Sequence, residues 1–185
     1  MTVPNLITSI RIILTPIFII YLLNDEALSA LVLFTVAGIS DAADGVVARL
    51  FDQKSTLGAF LDPLADKILL NSAFVVLSVK GYVYPWVTVI VISRDVLILL
   101  GVLILYLHGQ EFKLQPSVVS KTTTCLQLAT VFVVLSKGYF PPFFPICDGL
   151  FWVTGGITIV SGLHYMYQWF RIMGDESNRQ DRGPG

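Results

Sequence analysis

Six runs of about 20 predominantly apolar residues fill almost the whole chain and leave only short connections between them. A run of that length has few homes other than a bilayer, because a span needs roughly 20 apolar residues. The expected spans are about Leu6–Leu23, Leu28–Leu50, Leu57–Val79, Tyr84–Leu107, Val118–Leu135 and Gly149–Phe170. The composition agrees: of 185 residues, 55% are hydrophobic and 14% charged, against about 25% charged in soluble domains. The mean hydropathy is +0.75. A disordered chain is excluded and a soluble globular domain is disfavoured. The sequence therefore predicts an all-α integral membrane protein with six transmembrane helices.

The connections carry turn signals: Gly81, Gly109 and Phe140-Pro141-Pro142. Pro4-Asn5 marks a turn or cap before the first span. No cleavable signal peptide is expected, since no basic stretch precedes the first apolar run and no small-residue cleavage site follows it. Residues 1–173 read as one membrane domain, and the polar 174–185 as a disordered tail. Cys125 and Cys147 lack the spacing of a disulfide framework or a zinc site. The formal net charge of −1 gives no electrostatic reason to expect a nucleic-acid partner.

Basic residues orient membrane proteins, because short cytoplasmic loops are enriched in Lys and Arg. Arg11, Arg49, Lys54, Lys113, Lys121, Arg171, Arg179 and Arg182 fall at one set of span ends. Only Lys80 and Lys137 fall at the other. Both termini are therefore expected on the cytoplasmic side, or in the matrix of a mitochondrion.

Four carboxylates interrupt this apolar background: Asp41, Asp44, Asp62 and Asp66. A charge at a helix centre costs about 2.5–3.5 kcal/mol on insertion scales, so four need a compensating partner or water. Asp41 and Asp44 are three residues apart, and Asp62 and Asp66 are four apart, so each pair shares a helix face. Gly45, Ala48 and Gly58 add small residues that let helices approach closely. Antiparallel neighbours joined by the short 49–57 connection would bring the two pairs together near the cytoplasmic side. Four facing carboxylates cannot all ionise unpaired. Divalent cations answer that, and all-oxygen ligation suits two Mg²⁺ or Mn²⁺ ions.

Written out, the stretch is Asp41-Ala-Ala-Asp44-Gly45-Val-Val-Ala48-Arg49, eight residues, Gly58-Ala-Phe-Leu-Asp62-Pro-Leu-Ala-Asp66. It resembles, position for position, the D-x-x-D-G-x-x-A-R-x8-G-x3-D-x3-D signature of the CDP-alcohol phosphotransferases. The opening Val3-Pro-Asn-Leu-Ile-Thr-Ser-Ile-Arg11 resembles the short amphipathic N-terminal segment of glycerophospholipid synthases in that family. The resemblance implies that Asp41, Asp44, Asp62 and Asp66 bind the metal pair and that Asp66 is also the general base. It implies a CDP-binding pocket built from Asp44, Gly45, Ala48, Arg49, Gly58 and Asp62. It further implies a homodimer embedded in a lipid bilayer.

The implied reaction transfers a phosphatidyl group from CDP-diacylglycerol to a glycerol-type hydroxyl and releases CMP. Two acceptors compete. Glycerol 3-phosphate, giving phosphatidylglycerophosphate, is the expected acceptor, favoured by the compact chain, with phosphatidylglycerol as the alternative. Phosphatidylglycerol, giving cardiolipin, is favoured by the Ser93-Arg94-Asp95 and Ser120-Lys121 stretches. Inositol phosphate, serine and choline acceptors rank lower. Arg94 and Lys121 are the expected acceptor-binding residues, with an internal ion pair and a helix-end anchor as their plainer readings. Glycerophosphate enzymes of the family carry a second lysine two positions after the first; here Thr123 stands there. Lys67 reads as a charge neighbouring Asp66 rather than a catalyst. The expected location is the bacterial inner membrane, with the mitochondrial inner membrane as alternative. A transporter would use intramembrane acids too, but would not require the Gly, Ala and Arg spacing.

Overall fold

The structure is a computed structural model, which describes the backbone of residues 3–51, 56–107, 118–137 and 146–180. Side chains are described within 11–40, 67–101, 119–137, 147–169 and at 171. Among the described residues every regular element is helical: α1 (Val3–Leu23), α2 (Ala27–Phe51), α3 (Thr56–Val79), α4 (Pro85–Leu107), α5 (Val118–Ser136) and α6 (Ile146–Gln180). Each coincides with one apolar run. The amphipathic segment expected before the first span is continuous with it in α1.

The clearest difference from expectation is α6, which spans 35 residues and ends at Gln180 rather than near Phe170. Part of the stretch read as a disordered tail, 174–180, is therefore helical. Once a helix is nucleated, each further residue adds a hydrogen bond without a new nucleation cost, so a polar sequence can continue it. At 1.5 Å per residue α6 is about 52 Å long, well beyond a hydrocarbon core of about 30 Å.

Two turns at one end of the bundle are built alike. After α1 the Glu26 amide donates to the Tyr21 carbonyl (3.0 Å), with Asp25 at φ 62°. After α3 the Tyr82 amide donates to the Leu77 carbonyl (2.8 Å), with Gly81 at φ 76°. Both close their helix through a left-handed residue that satisfies terminal carbonyls. Lys80 and Asp25 form an ion pair that ties the turns together, which places the α1–α2 and α3–α4 connections side by side. Pro85 then opens α4, where its missing N–H removes no helical bond.

Helix α1 packs on α2 and α3, α6 packs on α4 and α5, and α3 touches both α4 and α5. The buried core centres on Phe18, Phe34, Phe74, Leu77, Val87 and Val131. The interior also holds polar groups that a soluble protein would expose. Thr123, Gln127, Thr130, Thr154, Thr158 and Ser161 are fully buried. They pair across α5 and α6, as Gln127 Nε2 donating to Thr158 Oγ1 (3.2 Å) and Thr130 Oγ1 meeting Thr154 Oγ1 (2.7 Å). The outer surface is correspondingly apolar: Ile13 is 61% exposed, Ile39 65%, Val89 62% and Trp152 70%. Polar contacts inside and large apolar side chains outside are the arrangement of helices embedded in lipid. By length and apolar composition alone, one described helical window, Val119–Ser136, is long enough to cross a membrane. Arg11–Leu23, Ala27–Ser40 and Lys67–Val79 are shorter apolar helical stretches.

Candidate active site

Asp41, Asp44, Gly45, Ala48 and Arg49 lie on the second half of α2, and Gly58, Asp62 and Asp66 on the first half of α3. Their side chains fall outside those described, as does the expected meeting of the two carboxylate pairs. The backbone fixes their positions along the two helices. Asp44 stands seven residues before Phe51, the end of α2, and Asp62 six residues after Thr56, the start of α3. Asp41 and Asp66 each stand ten residues from the same connection. At 1.5 Å per residue these are about 10 and 9 Å, then about 15 Å twice. The four aspartates thus fall into two layers of matched helical rise. Carboxylate oxygens are donors of the kind that hard divalent cations take.

Beside Asp66 the described residues form a buried charged node. Asp95 on α4 is 1% exposed. Its Oδ1 accepts from Lys67 Nζ on α3, the residue after Asp66, and from Arg94 Nη1 at 2.8 Å. Arg94 is 3% exposed. Its Nη2 donates to Ser120 Oγ on α5 at 2.6 Å and to Ser161 Oγ on α6 at 3.0 Å, and its Nε reaches Ser161 Oγ at 3.3 Å. The guanidinium carbon lies 5.8 Å from the Tyr165 ring centroid. Helices α3 to α6 therefore converge on one salt-bridged node, and Gly162 of α6 lies beside the Arg94 stem.

Arg94 is thus held internally, as the plainer of its two sequence readings expects. Lys121 follows Ser120 but is exposed. Thr123 is buried, and its Oγ1 donates to the Val119 carbonyl at 2.8 Å. Sequence reasoning took Lys67 only as a charge neighbouring Asp66 and Ser120 only as part of the Ser120-Lys121 stretch, and it passed over Ser161. A signal for Lys67 was present: a lysine amid Ile68, Leu69 and Leu70 is as costly in lipid as an aspartate, and Asp95 is an acid in the next apolar run.

Between α1, α3 and α4, a cavity of about 410 Å³ is lined by Lys67, Asn71 and Ser72 with apolar neighbours including Ile19 and Leu99.

The sequence model of the CDP-alcohol phosphatidyltransferase family matches residues 1–163. A probable cardiolipin synthase (CMP-forming) of Drosophila melanogaster is 32% identical over 90% of this chain and 57% of the relative. The cardiolipin synthase (CMP-forming) of Rattus norvegicus is 30% identical over 92% of this chain and 62% of the relative. A CDP-diacylglycerol–glycerol-3-phosphate 3-phosphatidyltransferase of Bacillus subtilis is 33% identical over 88% of this chain and 92% of the relative. The chain thus spans about three fifths of the two animal relatives and nearly all of the bacterial one.

Proposed function

The chain belongs to the CDP-alcohol phosphatidyltransferase family, and from that premise we propose that it transfers a phosphatidyl group from CDP-diacylglycerol to a glycerol-type hydroxyl and releases CMP. In this reading six spans cross a bacterial inner or mitochondrial inner membrane as a homodimer, with both termini on the cytoplasmic or matrix side. The paired turns at Asp25 and Lys80 support that alternation, since they put the α1–α2 and α3–α4 connections at one end of the bundle.

Asp41, Asp44, Asp62 and Asp66 would hold two Mg²⁺ or Mn²⁺ ions. Such ions, when bound, neutralise the donor pyrophosphate and the charge that develops on CMP. Gly45, Ala48 and Gly58 leave space for the cytidine ring beside the backbone, and Arg49 reaches its phosphate or base. Asp66 takes the proton of the acceptor hydroxyl. The freed oxygen attacks the lipid-side phosphorus, the pyrophosphate P–O bond breaks, and its electron pair leaves with CMP. Crowding by cations makes Asp66 a weak base, and close placement of the hydroxyl offsets this.

The acceptor best supported is phosphatidylglycerol, which makes the product cardiolipin. The observation carrying this is Thr123: where glycerophosphate enzymes have a second lysine, a buried hydroxyl binds its own helix. A dianionic phosphate monoester calls for more positive charge than a phosphodiester does. The second reading, glycerol 3-phosphate, is favoured by the near full-length match to the bacterial relative. The test is to give the purified protein CDP-diacylglycerol with each acceptor in turn and to measure CMP and the lipid product. Cardiolipin formed only with phosphatidylglycerol supports the first reading. Phosphatidylglycerophosphate formed from glycerol 3-phosphate overturns it, and no CMP with any acceptor overturns the reaction class.

A further inference from the structure

We propose that Lys67 is a positioning residue for the reaction: anchored on Asp95 of α4, it sets the rotation of α3 about its own axis and thereby the placement of Asp66. The proposal rests on the reading of Asp66 given above. In lipid, the apolar pattern of a helix says little about which face turns inward. On α3, Ile68, Val75 and Val79 face outward and Leu69, Leu70 and Ala73 inward, and the two sets are equally apolar. Hydrophobic burial therefore does not choose the rotation. A polar tie does. Lys67 reaches Asp95 Oδ1, and that carboxylate is itself braced by Arg94, which is bonded to α5 through Ser120 and to α6 through Ser161. A second tie, from Thr88 Oγ1 to the Phe74 carbonyl (3.2 Å), fastens α4 to α3 farther along.

Position 66 is one residue from this anchor, about 100° around the helix and about 1.5 Å along it. A side-chain end about 5 Å from the axis shifts by about 1 Å for each ~12° of helix rotation. A 1 Å misplacement at a reacting centre can cost about 10²-fold in rate. Fixing the rotation is thus worth more to turnover than to substrate binding.

The test uses the purified full chain in detergent or nanodiscs. Lys67→Gln is a mild probe, because it leaves the buried Arg94–Asp95 pair neutral. The expected result is a fall in kcat of about 10- to 100-fold, with KM for CDP-diacylglycerol and for the acceptor each within about twofold. Mn²⁺ affinity, read by electron paramagnetic resonance without substrate, should weaken several-fold. Lys67→Arg, which keeps the tie, should restore most of the loss. Asp66→Asn is run alongside. If Asp66→Asn is inactive while Lys67→Gln keeps full kcat, the positioning proposal is overturned and the reading of Asp66 stands. If Asp66→Asn turns over normally, that reading falls and takes the proposal with it. A rise in acceptor KM at unchanged kcat would make Lys67 a ligand contact and overturn the proposal as well. Should Lys67→Gln fail to fold, Asp95→Glu keeps every charge and lengthens the tie by one methylene; unchanged kcat and Mn²⁺ affinity there would overturn it.

Discussion

Arg94 of α4 and Ser161 of α6 are joined twice, since one serine oxygen accepts from both Nη2 (3.0 Å) and Nε (3.3 Å) of the guanidinium. The serine is fully buried and the arginine 3% exposed. Ser161→Ala leaves two buried N–H groups without that acceptor. The expected cost is about 1–2 kcal/mol, read as a lower thermal midpoint in detergent. Donor binding, measured with CDP-diacylglycerol, should be unchanged.

Gly155 of α6 packs directly under Trp86 of α4. A Cβ on Gly155 would lie 2.5 Å from the indole Cζ3. Trp86 cannot easily retreat, because its ring also lies 4.9 Å, centroid to centroid, from that of Trp152. Gly155→Ala should therefore cost about 1–3 kcal/mol through overpacking. Gly156, with open space around its missing Cβ, is the control: Gly156→Ala should leave the thermal midpoint the same or raise it.

Activity should vanish in excess chelator and return with Mg²⁺ or Mn²⁺. Ca²⁺ should restore less, because it tolerates looser geometry. CMP release before and after chelation is the measurement, and full turnover in chelator would remove the two-cation reading of the aspartates.

Asp66→Asn should separate binding from chemistry. The amide keeps the shape of the side chain but cannot take the proton. Turnover should fall about 10²-fold or more while CDP-diacylglycerol still binds. Asp41→Asn should instead weaken cation and donor binding together, seen by titrating each against the purified protein.

Thr123→Lys tests the acceptor. Placing a cation where a buried hydroxyl now stands should improve the use of glycerol 3-phosphate relative to phosphatidylglycerol. A ratio of kcat/KM values for the two acceptors that does not move would put the acceptor site away from this part of α5. The new charge is buried, so the thermal midpoint should fall.

The six helices and the four-aspartate signature were legible in the residues alone. Length of apolar run is a one-dimensional property, and lipid makes it decisive, since every backbone polar group must be satisfied within its own helix. The spacing of Asp41, Asp44, Asp62 and Asp66 is equally local, because three or four residues make one turn and so one face. The end of α6 was less legible: the polar composition of 174–180 describes surroundings, whereas helix continuation depends on a nucleus already formed upstream.

Only the tertiary structure decided the partners of the buried charges. Lys67 and Asp95 are 28 residues apart and Arg94 and Ser161 67 apart, and no periodicity along one helix specifies which neighbour it will meet. Sequence establishes that a lysine and an arginine in apolar helices must find partners, because desolvated charge is costly. Which carboxylate and which hydroxyls answer follows from how the helices pack and turn. In lipid, that rotation is set less by apolar surface than by the polar contacts themselves.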